Sequence, residues 1–150
     1  MDNVEPTSRN EPDALADRLL RDHGLRVTVQ RRLVLSLLIA HEGRHWTADE
    51  ILTAVRGRAP EVARGTAYNV LEELVRVGVA EELASEGSQR YGLRLAPHHH
   101  FVCHRCRRWF DVVPTGVEGL ALRVGQTAAG FRPDRVDVTF HGLCPECAPR

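Results

Sequence analysis

The segment APHHHFVCHRCRRWFDV, residues 96–112, decides how the chain is read. It brings three consecutive histidines (His98, His99, His100), a C-x-x-C pair (Cys103, Cys106) and an acid (Asp111) into one short span. A second C-x-x-C, Cys144 and Cys147, follows after 37 intervening residues, and these are all four cysteines. In each pair the two-residue spacer lets both sulfurs point at one centre. Two such knuckles complete a tetrahedral shell of four thiolates. That shell is coordinatively full, so its expected role is structural zinc. The competing readings are buried free thiols or redox disulfides. A dithiol enzyme needs only one C-x-x-C on a thioredoxin-like βαβ unit, and that pattern is absent.

The histidines read differently. In extended backbone, alternate side chains share a face, so His98 and His100 point together and His99 points away. Asp111 lies on the expected return strand and can reach the same place. His45, in a loop before a helix, is the candidate from elsewhere in the chain. Three imidazoles and a carboxylate suit Fe(II), Zn(II), Mn(II) or Ni(II) and leave room for water. The bland alternative is a polar linker, with His45 a solvated loop residue.

Upstream, the pattern is helical. Residues 1–12 are polar, with Pro6 and Pro12, and read as a loose arm. Asp13 caps an expected first helix over 13–23, which Gly24 ends. Thr28 starts a second helix, in which Leu33, Leu37 and Leu38 recur at helical spacing. Residues 41–46 read as a turn around Gly43. Thr47-Ala-Asp-Glu50 is a capping box opening a third helix. Thr66 opens a fourth, with Ala67, Val70, Leu71, Leu74 and Val75 inward and Gly78 closing it. Extended runs over 79–84 and 89–95 flank a hairpin turn. Helices followed by a hairpin describe a winged helix-turn-helix with the fourth helix in the major groove.

After Pro97 the character is α+β. A hairpin surrounds the Cys103–Cys106 knuckle. A helix is expected over 117–129, with Leu120 and Val124 inward, and a strand over 135–140 by strict alternation. The expected fold is therefore α+β: a winged helix-turn-helix domain over 1–95, and a small α/β domain with a four-cysteine zinc site over 96–150. Two half-size domains each have a thin core and need a staple or a partner.

Charge restricts the function classes. The 20 basic residues, all arginine, balance 20 acidic ones. Residues 1–93 carry 12 Arg against 15 Asp plus Glu, a net of −3, so a DNA surface must be a local face. No apolar run approaches the ~20 residues of a membrane span. The first residues hold no apolar signal core, which points to a cytoplasmic protein whose thiols stay reduced.

These segments together resemble the ferric uptake regulator family of metal-dependent repressors. GLRVTVQRRLVL looks like the family's first DNA-binding segment, and RHWTADEIL like the segment carrying a metal-binding histidine. GTAYNVLEELVRVGVAEEL looks like its recognition helix and wing, and HHHFVCHRC and GLCPEC like its metal segments. The likeness runs from about Leu25 to Cys147. It implies a homodimer on operator DNA, with 96–150 as the dimerisation domain and a regulatory metal at the hinge. Carried over by position, Cys103, Cys106, Cys144 and Cys147 match the structural zinc ligands. His45, His98, His100 and Asp111 match four regulatory ligands. The fifth, normally acidic, position is Gly92; water or Glu86 on the wing turn is expected to fill it. Val136 stands where an additional site of some members has histidine, and His141 is unusual there.

An aspartate at Asp111, with EVARGTAYNVL and HHHFVC, is similar to the peroxide-sensing branch and to actinobacterial regulators of catalase-peroxidase genes. That implies an iron-loaded repressor whose small-molecule signal is peroxide. The alternative is an iron, zinc or nickel uptake regulator on the same scaffold. On the DNA side, Tyr68 is placed for a thymine methyl, and Thr66 and Asn69 for phosphate or base. Arg64 and Arg31 are expected phosphate clamps, and Arg26 is expected in the minor groove. For Tyr68 the alternative is helix packing. An enzyme is disfavoured, because no positioned nucleophile or general base stands beside the candidate ligands. A zinc-ribbon interaction module that binds no DNA is the remaining class.

Overall fold

A computed structural model of the chain describes residues 11–85, 87–117, 119–120, 123–124 and 129–149. It divides into two compact units, Met1–Leu95 and Ala96–Arg150.

In the first unit, α1 (Glu11–Asp22) and α2 (Val29–Ala40) precede a two-residue strand β1 (Trp46–Thr47). Then come α3 (Ala48–Arg56), α4 (Arg64–Arg76), β2 (Ala80–Ser85) and β3 (Ser88–Leu93). Local chemistry sets most of these boundaries. The Thr28 side chain accepts from the Arg31 N–H at the start of α2. At α3 the capping box is complete: Thr47 Oγ1 accepts from the Glu50 N–H, and Glu50 accepts from the Thr47 N–H. After α4, Gly78 takes φ +80° and the Val79 N–H reaches back to the Leu74 carbonyl, a left-handed cap that favours glycine. The three strands form one antiparallel sheet in the order β1-β3-β2, with Trp46 opposite Tyr91 and Glu81 opposite Gly92. Leu20, Leu35, Leu38, Ile51, Leu71 and Leu74, all essentially inaccessible, fill the core between the helices and the sheet.

Several expected boundaries shift. Glu11 and Pro12 belong to α1, so the arm expected over 1–12 is shorter and otherwise lies outside the described residues. Proline is tolerated in that first turn because its missing N–H has no helical partner to lose. Asp13 is therefore inside the helix, bound to Arg58 rather than capping. α4 starts at Arg64, two residues before Thr66, with Ala63 at the cap and no side-chain cap bond. Trp46 leaves the expected turn to pair with β3.

The second unit holds β4 (His99–Cys103), β5 (Trp109–Val112) and β6 (Thr139–Gly142) in the order β5-β4-β6, with β4 and β5 antiparallel and β4 and β6 parallel. The strand expected over 135–140 begins only at Thr139. Val138 already engages both its backbone groups, donating to His99 Nδ1 and accepting from the His100 N–H. Residues 118, 121–122 and 125–128 of the helix expected over 117–129 lie outside the described residues; 119–120 and 123–124 are helical. Leu120 and Val124 do not point inward: they are 38% and 40% exposed. Among the described residues, no helix is long and apolar enough to cross a membrane.

Candidate metal centres

The cysteine knuckles lie at the ends of paired strands. Cys103 ends β4 and Cys144 follows β6, which runs beside it, so the parallel pairing brings the two C-x-x-C turns together. The His104 N–H donates to the Gly142 carbonyl at the junction. Cys103 and Cys106 are turned toward each other by the Arg107 N–H, which donates to the Cys103 carbonyl, with Arg107 at φ +61°. The N–H groups of Cys147 and Ala148 fold the second knuckle onto the Cys144 carbonyl. All four sulfurs lie within 4.8 Å of one another, and Cys106 Sγ is 3.8 Å from Cys144 Sγ. A tetrahedral zinc ion with bonds of about 2.3 Å holds its sulfurs roughly 3.8 Å apart.

The electrostatics favour a cation. The N–H of Cys106, then that of Cys144, donate to Cys103 and hold its thiol down to about 5. The Arg108 guanidinium lowers Cys106 in the same way. Cys147 is pushed up to about 12, first by desolvation and then by the crowded sulfurs of Cys144 and Cys103. Arg108 also pairs with Glu146, closing the outside of the cluster. Two thiols held toward the thiolate beside a third whose ionisation the crowding opposes form a donor set that a divalent cation stabilises.

The histidine segment brings His98, His100 and Asp111 to one point within the second unit. The His98 and His100 rings lie 4.9 Å apart, nearly perpendicular. Their Nε2 atoms are 3.7 and 3.9 Å from Asp111 Oδ1. These distances are longer than hydrogen bonds but fit donors around a shared ion, each about 2.0–2.2 Å from it. The register explains the convergence, because His100 lies directly across from Asp111. His98 Nδ1 donates to the Ala96 carbonyl, which fixes the ring and leaves Nε2 as the donor atom. His99 points the other way, to the Val138 N–H.

His45 lies in the first unit and is buried to 5% exposure, not solvated. Its Nε2 is 3.2 Å from Glu81 Oε1. Glu81, 8% exposed, is a residue that sequence reasoning missed. Its signal was the pair Glu81-Glu82 on one strand, because alternation turns one of two consecutive strand residues inward. Glu86, the expected filler of the Gly92 gap, lies outside the described residues.

The expected DNA face is part of the first unit. Arg26 and Asn69 are exposed, and Thr66 is half-buried. Arg64 is exposed, lying against Asp49 and the Tyr68 hydroxyl. Tyr68 is half-buried and packs on the core, so it serves helix packing as well. Arg31, 20% exposed at its side chain, is engaged within the unit. It makes two bonds to Glu73 (2.7 and 2.8 Å) and a third to the Arg26 carbonyl, tying α2 to α4.

A winged four-helix unit, joined in sequence to a small sheet carrying thiolate and imidazole clusters, defines a class of metal-responsive regulators. The model of the ferric uptake regulator family matches residues 22–141. The chain is 31% identical over 135 residues to the Peroxide operon regulator of Bacillus subtilis, covering 87% of this chain and 90% of that one. It is 37% identical over 131 residues to Transcriptional regulator FurA of Mycobacterium tuberculosis, covering 86% and 87%. Among solved structures, a Zinc Uptake Regulator complexed with zinc and DNA is 26% identical, with a TM-score of 0.71 over 93% of this chain and 95% of that one. The chain belongs to the ferric uptake regulator family and is a metal-responsive transcriptional regulator.

Proposed function

We propose that the chain is a homodimeric, metal-dependent repressor that responds to peroxide in the cytoplasm and controls oxidative-stress genes. Residues 1–95 form its operator-binding domain and 96–150 its dimerisation and metal-binding domain. The observation that carries this reading is the convergence of His98 and His100 on Asp111 Oδ1, at 3.7 and 3.9 Å. The relationship to a peroxide operon regulator supports it. In this reading the four cysteines hold structural zinc. His98, His100 and Asp111 share a regulatory ion with His45, and the donor set suits Fe(II). When bound, iron(II) supplies the one-electron chemistry that makes peroxide an oxidant of a neighbouring imidazole.

The chain's own residues do the rest. His45 belongs to the winged unit and the other three donors to the sheet unit, so joint ligation fixes the angle between the two. In a dimer, a fixed angle matches both winged helices to major grooves one helical turn (~34 Å) apart. By linkage, operator DNA then tightens metal binding. On the DNA side Arg26, Arg31, Arg64, Thr66, Tyr68 and Asn69 are the contacts, and the Arg31–Glu73 pair also ties α2 to the recognition helix. Val113, Phe131 and Phe140, at 80%, 68% and 39% exposure, are exposed apolar side chains of the sheet unit that a second copy would cover.

His98→Ala tests the reading. It is expected to abolish metal-activated operator binding in a gel shift while the zinc and the dimer persist; normal metal dependence in that variant would overturn it. Mass spectrometry of peroxide-treated, iron-loaded protein separates two sensing routes. A gain of about 16 Da, one oxygen, on a His45 or His98 peptide marks imidazole oxidation. Cysteine disulfides with lost zinc mark the thiolate route. Neither change, with operator binding unaffected by peroxide, returns the protein to the metal-uptake reading.

A further inference from the structure

We propose that Glu81 is a ligand of the regulatory metal, supplying from β2 the carboxylate that Gly92 on β3 lacks. The inference rests on the metal-site reading above, and its own argument lies within the winged unit. β3 is the central strand of the sheet, with β1 on one side and β2 on the other. Trp46 pairs with Tyr91, so the residue before it, His45, reaches the sheet beside Gly92. On the opposite side Glu81 pairs directly with Gly92. His45, Gly92 and Glu81 thus form a row across three strands.

Directly paired residues present their side chains on the same face, with Cβ atoms about 4.5–5.5 Å apart. A carboxylate at 81 therefore serves the same face as one at 92. The two positions are not equally open, however. A Cβ at Gly92 would lie 2.6 and 2.7 Å from His45 Cδ2 and Nε2. With glycine there, the imidazole lies over the bare backbone and its Nε2 meets Glu81 Oε1 at 3.2 Å. In this chain the acid and the glycine go together: the imidazole occupies the space of a side chain at 92, and the carboxylate comes from the neighbouring strand.

The energetics agree. Burying a carboxylate is costly unless it is ion-paired, hydrogen-bonded or bound to metal. The Glu81 and His45 side chains are 9% and 1% exposed. Nearby Glu82, one residue on, faces outward to the Tyr91 hydroxyl. Imidazole Nε2 with a carboxylate oxygen is a donor pair for a divalent ion of intermediate hardness.

The test uses the full-length, zinc-loaded protein titrated with Mn(II), with free ion read by electron paramagnetic resonance. Manganese prefers oxygen and nitrogen donors and leaves the thiolates to zinc. Glu81→Gln is near-isosteric and is expected to weaken Mn(II) binding at least tenfold. Its melting temperature without Mn(II) should match the parent, and its gain on adding Mn(II) should shrink. A merely structural Glu81 would move the first melting temperature and leave the affinity alone. Glu81→Leu removes the buried charge altogether and provides a second folded variant with the same expected loss. His98→Ala separates the two claims. Unchanged Mn(II) binding in His98→Ala overturns the metal-site reading itself. Loss there, with parental binding in the folded Glu81 variants, overturns only the role of Glu81.

Discussion

At position 92 nothing in the backbone asks for glycine, since its φ is outside the left-handed range. The His45 ring is what excludes a side chain. Gly92→Ala must push an imidazole that is 1% exposed out of its place. Overpacking of this kind costs about 1–3 kcal/mol. A urea unfolding midpoint lowered accordingly checks it, and an unchanged midpoint would mean the ring has room to swing away. His98 and His100 were legible because alternation is a local property of extended chain. Glu81 was not. The run over 79–84 reads from sequence only as extended, and the pairing of Glu81 with Gly92, set by the hairpin register, shows which glutamate turns inward.

Among the elements, the helices and the strands of local hairpins were legible, and β1, which exists only through its pairing with β3, was not. The Thr47–Glu50 box is written in four residues and forms as read. Removing its hydroxyl by Thr47→Ala is expected to lower stability by about 1 kcal/mol, measured by thermal denaturation. β1 is two residues long, too short for periodicity to register, and exists because β3 offers it an edge. The alternation of RVDVTF was a true strand signal with the wrong start, because Val138 is taken by His99 and His100. Between elements, Arg31 holds the Glu73 carboxyl below its ordinary 4.5, and Arg58 does the same for Asp13. Depressed carboxyl groups contribute stability above their unfolded values and lose it as pH falls through the folded ones. Stability of the winged unit should therefore decline below about pH 4.5, the ordinary glutamate value. Glu73→Gln should flatten that decline in denaturation measured from pH 5 to 3. An identical acid slope in the variant would show that the α2–α4 ion pair contributes nothing.

At the scale of the whole chain, the buried apolar residues among those described are divided unequally between the two units. Every member of the large buried apolar cluster belongs to the winged unit, from Ala16 to Leu93. In the sheet unit, the buried apolar residues among those described are Cys103, Val117 and Cys144, so two of the three are candidate zinc ligands. With so thin a core among its described residues, and with the cysteines holding zinc as proposed, this unit is expected to fold by metal ligation more than by apolar burial. Chelating zinc from the protein should then release β4, β5 and β6 while α2 and α4 stay protected. Hydrogen exchange followed by peptide resolves the two: amides over 99–112 and 139–147 should exchange at near-unfolded rates, and those over 33–38 and 67–74 should remain slow. Cys144→Ser should produce the same pattern without a chelator, because three sulfurs leave the shell open. Retained protection over 99–112 in a zinc-free protein would place the stability of this unit in contacts other than the thiolates. In the proposed dimer, the exposed Val113, Phe131 and Phe140 are candidates for such contacts with a second copy of the chain. Repeating the exchange at tenfold lower protein concentration tells the two apart, since subunit contacts weaken with dilution and metal ligation within one chain does not.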